Sequence, residues 1–138
     1  MRTVEHDGDR YLLLKRSTDE SLVRDPETGE TRHLPTDDLT VTGDPPLATA
    51  AGRVPEPTRR VVAAVHSEAA LGLLVELDER GPLGVRELLG LTERCESDLH
   101  GLVGELQAAG MVAETEVDGE RGYRLTDGAR TGLLALTG

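Results

Sequence analysis

The stretch "DLHGLVGELQAAGMVAETEVDGERGYRLTDGAR", residues 98–130, constrains the fold most, because its apolar period changes partway along. Leu99, Leu102, Val103 and Leu106 recur at three- and four-residue spacing, which lays them along one side of an α-helix. Gly110 then interrupts the pattern, as glycine does just past a helix end. "MVAETEV" and "YRLT" read as strands, and "DGERG" between them has the chemistry of a tight hairpin turn. Thr126-Asp127 caps a final helix, with Ala129, Leu133 and Leu136 at i, i+4 and i+7. A helix, a β-hairpin and a second helix must therefore follow one another directly.

The residues upstream extend this order. "PTRRVVAAVH" reads as a helix with Pro57 in its first turn and Val61, Val62 and Val65 as its apolar stripe. Ser67 is placed to cap the next helix, "EAALGLLVELDER", whose inward residues are Ala70, Leu71, Leu74 and Leu77. Gly81-Pro82 stops that helix, Leu83 begins a short strand, and "VRELLGL" is a brief helix. From residue 68 the order is helix, short strand, helix, turn, helix, strand, turn, strand, helix.

With "GPLGVRELL" ahead of residues 98–130, this arrangement resembles the winged helix-turn-helix domain of MarR- or ArsR-like transcription regulators. The most telling pieces are "ELQAAGMV", where the third helix breaks into the first wing strand, and "GYRLTDGAR", where the second wing strand caps a helix. The resemblance implies that the third helix enters the major groove and that the wing reaches phosphate or the minor groove. Carried onto this chain, Ser97, His100, Gly101 and Gly104 on the third helix meet DNA, together with Arg94, Arg121 and Arg124. Arg59, Arg60 and Arg86 are further phosphate contacts. A two-fold operator implies a homodimer, its seam supplied by the C-terminal helix from Asp127 or by the 57–66 helix.

Residues 1–44 read differently. Short runs such as "TVE", "RYLLLKR", "SLVR" and "TRHLP" are separated by "HDGD", "STDE" and "DPETGE", which predicts an antiparallel meander of three to five strands. Leu12-Leu13-Leu14 puts apolar side chains on both strand faces, so cover is expected on both sides. A sheet this small is expected to pack on the rest of the chain or on a second copy. Residues 45–56, "PPLATAAGRVPE", carry three prolines and read as a linker with a helical turn near Leu47–Ala51. The expected class is α+β: a β-meander over 1–44, a Pro-rich linker over 45–56, and a winged helix-turn-helix domain over 57–138.

Charge complicates the functional reading. The net charge is −11, Lys15 is the single lysine, and the remaining fourteen positive charges are arginine. This style resembles the protein surfaces of halophilic archaea. Two readings follow: the acidity adapts the chain to salt, or it forms a face for a basic partner. On the third helix the acids Glu96, Asp98 and Glu105 stand where a DNA reader usually carries donors. At molar salt the Debye length falls to about 3 Å, so repulsion beyond direct contact is screened. Counterion release, the usual source of affinity, also weakens there. The expected function is a DNA-binding transcription regulator adapted to high salt. The alternative is a winged helix module that binds protein rather than DNA, through residues 1–44 or the acidic third helix.

Other chemistry finds little support. Cys95 is the only cysteine, which excludes an intramolecular disulfide and suits a reducing compartment. Cys95 and His100 lie roughly 140° apart around a helix, so they do not share a face for a metal. Ser97, Asp98 and His100 sit on one exposed helix, which does not orient a nucleophilic triad. No phosphate-loop, dinucleotide or EF-hand pattern is present. No apolar run approaches the roughly 18 to 20 residues needed to span a bilayer. The expectation is a soluble cytoplasmic protein that is not an enzyme, with no cofactor, metal or membrane partner. With no Phe or Trp and only two tyrosines, its core must be Leu, Val and Ala.

Overall fold

The computed structural model describes residues 1–92 and 95–138. They form two compact units, Met1–Pro55 and Glu56–Gly138.

The first unit is a five-stranded antiparallel sheet of β1 (Arg2–His6), β2 (Asp9–Lys15), β3 (Glu20–Arg24), β4 (Thr31–Pro35) and β5 (Thr40–Val41), ordered β4-β3-β2-β1-β5. Asp7 and Gly8 both take positive φ, 51° and 83°, the type I′ turn that matches strand twist. Between β3 and β4 the Asp25 carboxylate accepts from the Glu27 N–H at 2.8 Å, and the Asp25 N–H donates to Glu30 at 2.8 Å. Pairing Val4 with Tyr11, Leu13 with Val23 and Ser21 with Leu34 puts these side chains on one face. There Val4, Tyr11, Val23 and Leu34 form a core, with Leu13 and Leu39 packed against it.

Thr3 and Leu12 face the other way, and α1 (Pro46–Ala50) packs on β1 and β2. The Thr3 and Thr49 hydroxyls meet at 2.9 Å, and both Thr3 and Leu12 are buried. Residues 46–53 are thus not a linker but a helix and a 3-10 turn (Ala51–Arg53) within this unit. The reason is local: Pro46 starts a helix, and that helix covers the sheet's second face. Cover extends to Leu12 and Leu13 but not to Leu14, which sits at an irregularity in the β2–β3 register and is 39% exposed.

The second unit runs α2 (Glu56–Ala64), α3 (Glu68–Arg80), β6 (Leu83–Gly84), α4 (Val85–Leu91), α5 (Glu96–Ala108), β7 (Val112–Val117), β8 (Glu120–Leu125), α6 (Asp127–Thr137). Its three strands pair in the order β6-β8-β7. This is the winged helix-turn-helix order, and the chain as a whole is α+β, an antiparallel sheet followed by six described helices. Ser67 caps α3 by accepting from the Ala70 N–H at 3.1 Å. At the end of α5, Gly110 has φ 79°, its N–H bonds Gln107, and the Met111 N–H bonds Leu106. That is the Schellman pattern, which turns the chain directly into β7. Thr126 then ties the two ends together: its hydroxyl donates to Gly110 O at 2.7 Å and accepts from the Ala129 N–H at 3.3 Å.

The core is aliphatic apart from one ring. Leu74, Leu77, Leu88, Leu99, Leu106, Leu125 and Leu133 are essentially inaccessible, and Tyr123 joins them. Three stripe residues differ from expectation. On α3, Leu73 is buried and Leu71 lies at the margin, because Ala70, Leu73, Leu74 and Leu77 share one arc. On α2, Val61 is buried while Val62, about 100° round the helix, is 61% exposed. Leu136, in the last turn of α6, is half exposed.

That contact is backbone on backbone. The Thr58 hydroxyl donates to Gly132 O at 3.1 Å, and a Cβ on Gly132 would lie 2.2 Å from Pro57 O. Gly132→Ala should therefore cost about 1–3 kcal/mol in urea unfolding, because α2 must move away. Gly128→Ala, one turn earlier and with nothing within 4 Å, should stay within about 0.5 kcal/mol of the parent.

Candidate nucleic-acid interface

Leu99, Val103 and Leu106 turn α5 toward the core, so its other side carries Glu96, Ser97, Asp98, His100, Gly101, Gly104 and Glu105, all exposed. Ser97, Gly101 and Gly104 follow one another at i, i+4 and i+7, so the structure brings these three onto one face. His100 faces Glu96, its Nε2 3.6 Å from that carboxylate. Glu96 and Asp98 occupy the first turn, where the positive end of the helix dipole favours them. A Cβ on Gly101 or Gly104 would meet nothing within 4 Å. Internal packing does not require these glycines, and each weakens the helix. The same openness holds at Gly72 on α3 and Gly90 on α4.

The wing is tighter than "DGERG" suggests. Its turn is confined to Asp118 and Gly119, with φ of 51° and 77°, and Glu120 and Arg121 already belong to β8. Arg121 forms an ion pair with Glu114, Nε to Oε1 at 2.7 Å, with both side chains about half exposed. Arg124 is exposed and reaches Leu125 O at 3.5 Å. Three residues apart on a strand, Arg121 and Arg124 point to opposite faces of the hairpin. Arg121 shares its face with Tyr123 and Leu125.

Glu120 has a role that the sequence does not suggest. Its Oε1 accepts from the Arg86 N–H at 2.8 Å, so a wing carboxylate caps α4, where no residue of α4's own end does so. The contact joins residues 34 apart in sequence, and no short-range pattern encodes it. Gly84 leaves the room, since a Cβ there would lie 3.1 Å from the Glu120 carboxyl carbon.

The remaining arginines are dispersed. Arg86 is exposed on α4. Arg59 and Arg60 lie on α2, whose main packing partner is α6, whereas α5 packs on α4 and β7. Arg60 pairs with Glu56 at 2.9 Å. Arg94 lies outside the described residues. Elsewhere Arg80 meets Glu76 and Glu87, and Arg130 meets Asp78 at 3.2 Å. Among the described residues, His, Cys, Asp and Glu form no group of three that could hold a metal. No described helix is long and apolar enough to cross a membrane.

Fold and site together define an α+β chain whose second unit is a winged helix-turn-helix domain, with an acidic third helix and a short wing. The chain belongs to DUF7346, a family of unknown function, which it matches over residues 1–137. No curated protein matches it. Among solved structures it is similar to an ArsR-like transcriptional regulator from Rhodococcus sp. RHA1, at 27% identity and a TM-score of 0.45, over 59% of this chain and 74% of that one.

Two substitutions check this geometry. Glu120→Ala should lower stability by about 0.5–2 kcal/mol in urea unfolding, the usual cost of an uncapped helix. Gly104→Ala should raise it by roughly 0.5–1 kcal/mol, because the added methyl enters open space.

Proposed function

We propose that this chain is a DNA-binding transcription regulator of the cytoplasm, adapted to high salt, non-enzymatic, and active as a homodimer. The observation that carries the reading is the free side of α5: Ser97, His100, Gly101 and Gly104 are exposed on the helix that leads into the wing and take no part in the core. Glycines there let a groove wall approach the helix backbone closely. At about 3 Å of screening length in molar salt, Glu96, Asp98 and Glu105 repel phosphates only on near contact.

The wing supplies the cations. Arg121 must exchange Glu114 for a phosphate, and an exposed pair of this kind is worth only about 0–1 kcal/mol. Because Arg121 and Arg124 point to opposite faces, a wing inserted into the minor groove offers one guanidinium to each backbone. Homodimerisation rests on α2 and α6, which pack together and expose Val62 (61%), Leu134 (63%) and Leu136 (50%). A second copy across a two-fold axis would cover them.

A second reading, a module that binds a basic protein surface through α5 or through residues 1–44, is favoured by the acids that share α5's exposed side.

Fluorescence anisotropy with DNA from the region upstream of the chain's own coding sequence, in multimolar KCl, decides between them. The first reading expects saturable binding. Replacing both Arg121 and Arg124 by Ala should lower the slope of log K against log salt by about two units. No binding by the parent protein, or an unchanged slope, would sink it. Leu134→Glu should convert a dimer to a monomer in sedimentation velocity without loss of helix content. An unchanged sedimentation coefficient would rule α6 out as the seam.

A further inference from the structure

We propose that the first unit holds a binding site for a small oxyanion-bearing ligand, a phosphate ester or a low-mass carboxylate, gripped by Arg24 and Arg53. The site is a pocket of about 280 Å³ lined by Leu12, Arg24, Pro26, Gly29, Ala50 and Arg53. It stands apart from the DNA-binding reading, and its test involves no DNA.

The two arginines arrive from elements distant in sequence. Arg24 ends β3 and is the cross-strand neighbour of Leu12, so both rise from the same sheet face. Leu12 is fully buried and forms an apolar floor. Arg53 comes from the 3-10 turn after α1. Its Nη1 donates to the Glu27 carbonyl at 3.3 Å, which positions the guanidinium without neutralising it. Gly29, with φ +79°, makes the position accessible: a Cβ there would lie 3.1 Å from Arg53 Nε. The loop "DPETGE" thus yields a surface over which the guanidinium lies.

The pocket is cationic in an acidic chain, and its floor is buried. The chain carries 26 acidic residues against 15 basic ones, and Arg10, Arg60, Arg80, Arg121 and Arg130 each meet a carboxylate. Among the described residues, the lining of this pocket contains two guanidiniums and no carboxylate. A second pocket, at Arg2 and Arg16, shares that composition, but Met1, Leu14 and Val41 in its lining are exposed, whereas Leu12 here is fully buried. Two like charges at one cavity are unfavourable until an anion joins them. The planar guanidinium fork matches two oxygens of a phosphate or carboxylate at once. The volume lies just below the roughly 300–1,000 Å³ of pockets for drug-sized ligands, which selects a small anion over a nucleotide. Leu12, Pro26 and Ala50 would contact its carbon skeleton.

The test is a titration of the full ¹⁵N-labelled chain in constant KCl with inorganic phosphate, and separately with succinate, followed by amide shifts. Saturable shifts concentrated at Leu12, Gly29, Ala50 and Arg53, with either probe, support the site. The probe that saturates at the lower concentration identifies the headgroup. Arg24→Gln combined with Arg53→Gln should weaken binding at least about tenfold, given the strength of charge-assisted hydrogen bonds. Arg16→Gln, outside the pocket lining, should leave it unchanged. No saturable shift with either probe, shifts scattered over the surface arginines, or equal weakening by Arg16→Gln would overturn the proposal. Should the double variant not fold, the shift map of the parent protein still decides.

Discussion

The close crossing of β6 and β8 at Gly122 holds the second unit in register. A Cβ there would lie 2.5 Å from Leu83 O and 2.9 Å from Val117 Cγ2, so no side chain fits. The crossing pairs Leu83 with Tyr123, which seats the unit's one tyrosine in an otherwise aliphatic core. It also puts Glu120 within reach of α4's first turn. The direction of the wing, the capping of α4 and the burial of Tyr123 therefore depend on one position that tolerates only hydrogen. The α2–α6 contact at Gly132 follows the same logic on the other side of the unit. Without Phe or Trp to fill space, two backbones approach each other instead, and dispersion between closely packed atoms takes over what large rings usually supply.

The acidic surface bears on function less through its total than through its pairing. Arg121, a natural phosphate contact for a wing, already holds Glu114, and Arg60, Arg80 and Arg130 hold carboxylates of their own. Such exposed pairs are individually weak and easily exchanged. They keep the surface hydrated and locally neutral where cations exist at all. Against this background the Arg24–Arg53 pocket is informative because two guanidiniums, with no carboxylate in the lining, lie over a fully buried apolar floor.

Much of the fold was legible residue by residue. The period change at Gly110, the Asp-Gly turn of the wing, and the caps Ser67 and Thr126 are all local signals, since each involves groups a few residues apart. Failures occurred where a neighbour distant in sequence decided the outcome. "PPLATAAGR" has the composition of a linker, yet the exposed second face of the β-sheet draws it into a helix. Leu71, Val62 and Leu136 belong to apolar stripes, yet the packed arc was narrower than the stripe. Of the proposed interface, the shared face of Ser97, Gly101 and Gly104 follows from helical spacing. The opposed directions of Arg121 and Arg124 also follow from strand spacing, but only once the turn is known to end at Gly119.

The sequence by itself determined the order of helices and strands over residues 57–138, the caps at Ser67 and Thr126, the helix end at Gly110, and a core built of aliphatic residues. These depend on backbone preferences and on periodicity, which act over a few residues. Only the tertiary structure decided that Glu120 caps a helix formed 34 residues earlier, that Arg121 is held by Glu114, and that Arg24 and Arg53 line one pocket. Charges and hydrogen-bonding groups act through space, and their partners are set by how the chain folds back on itself.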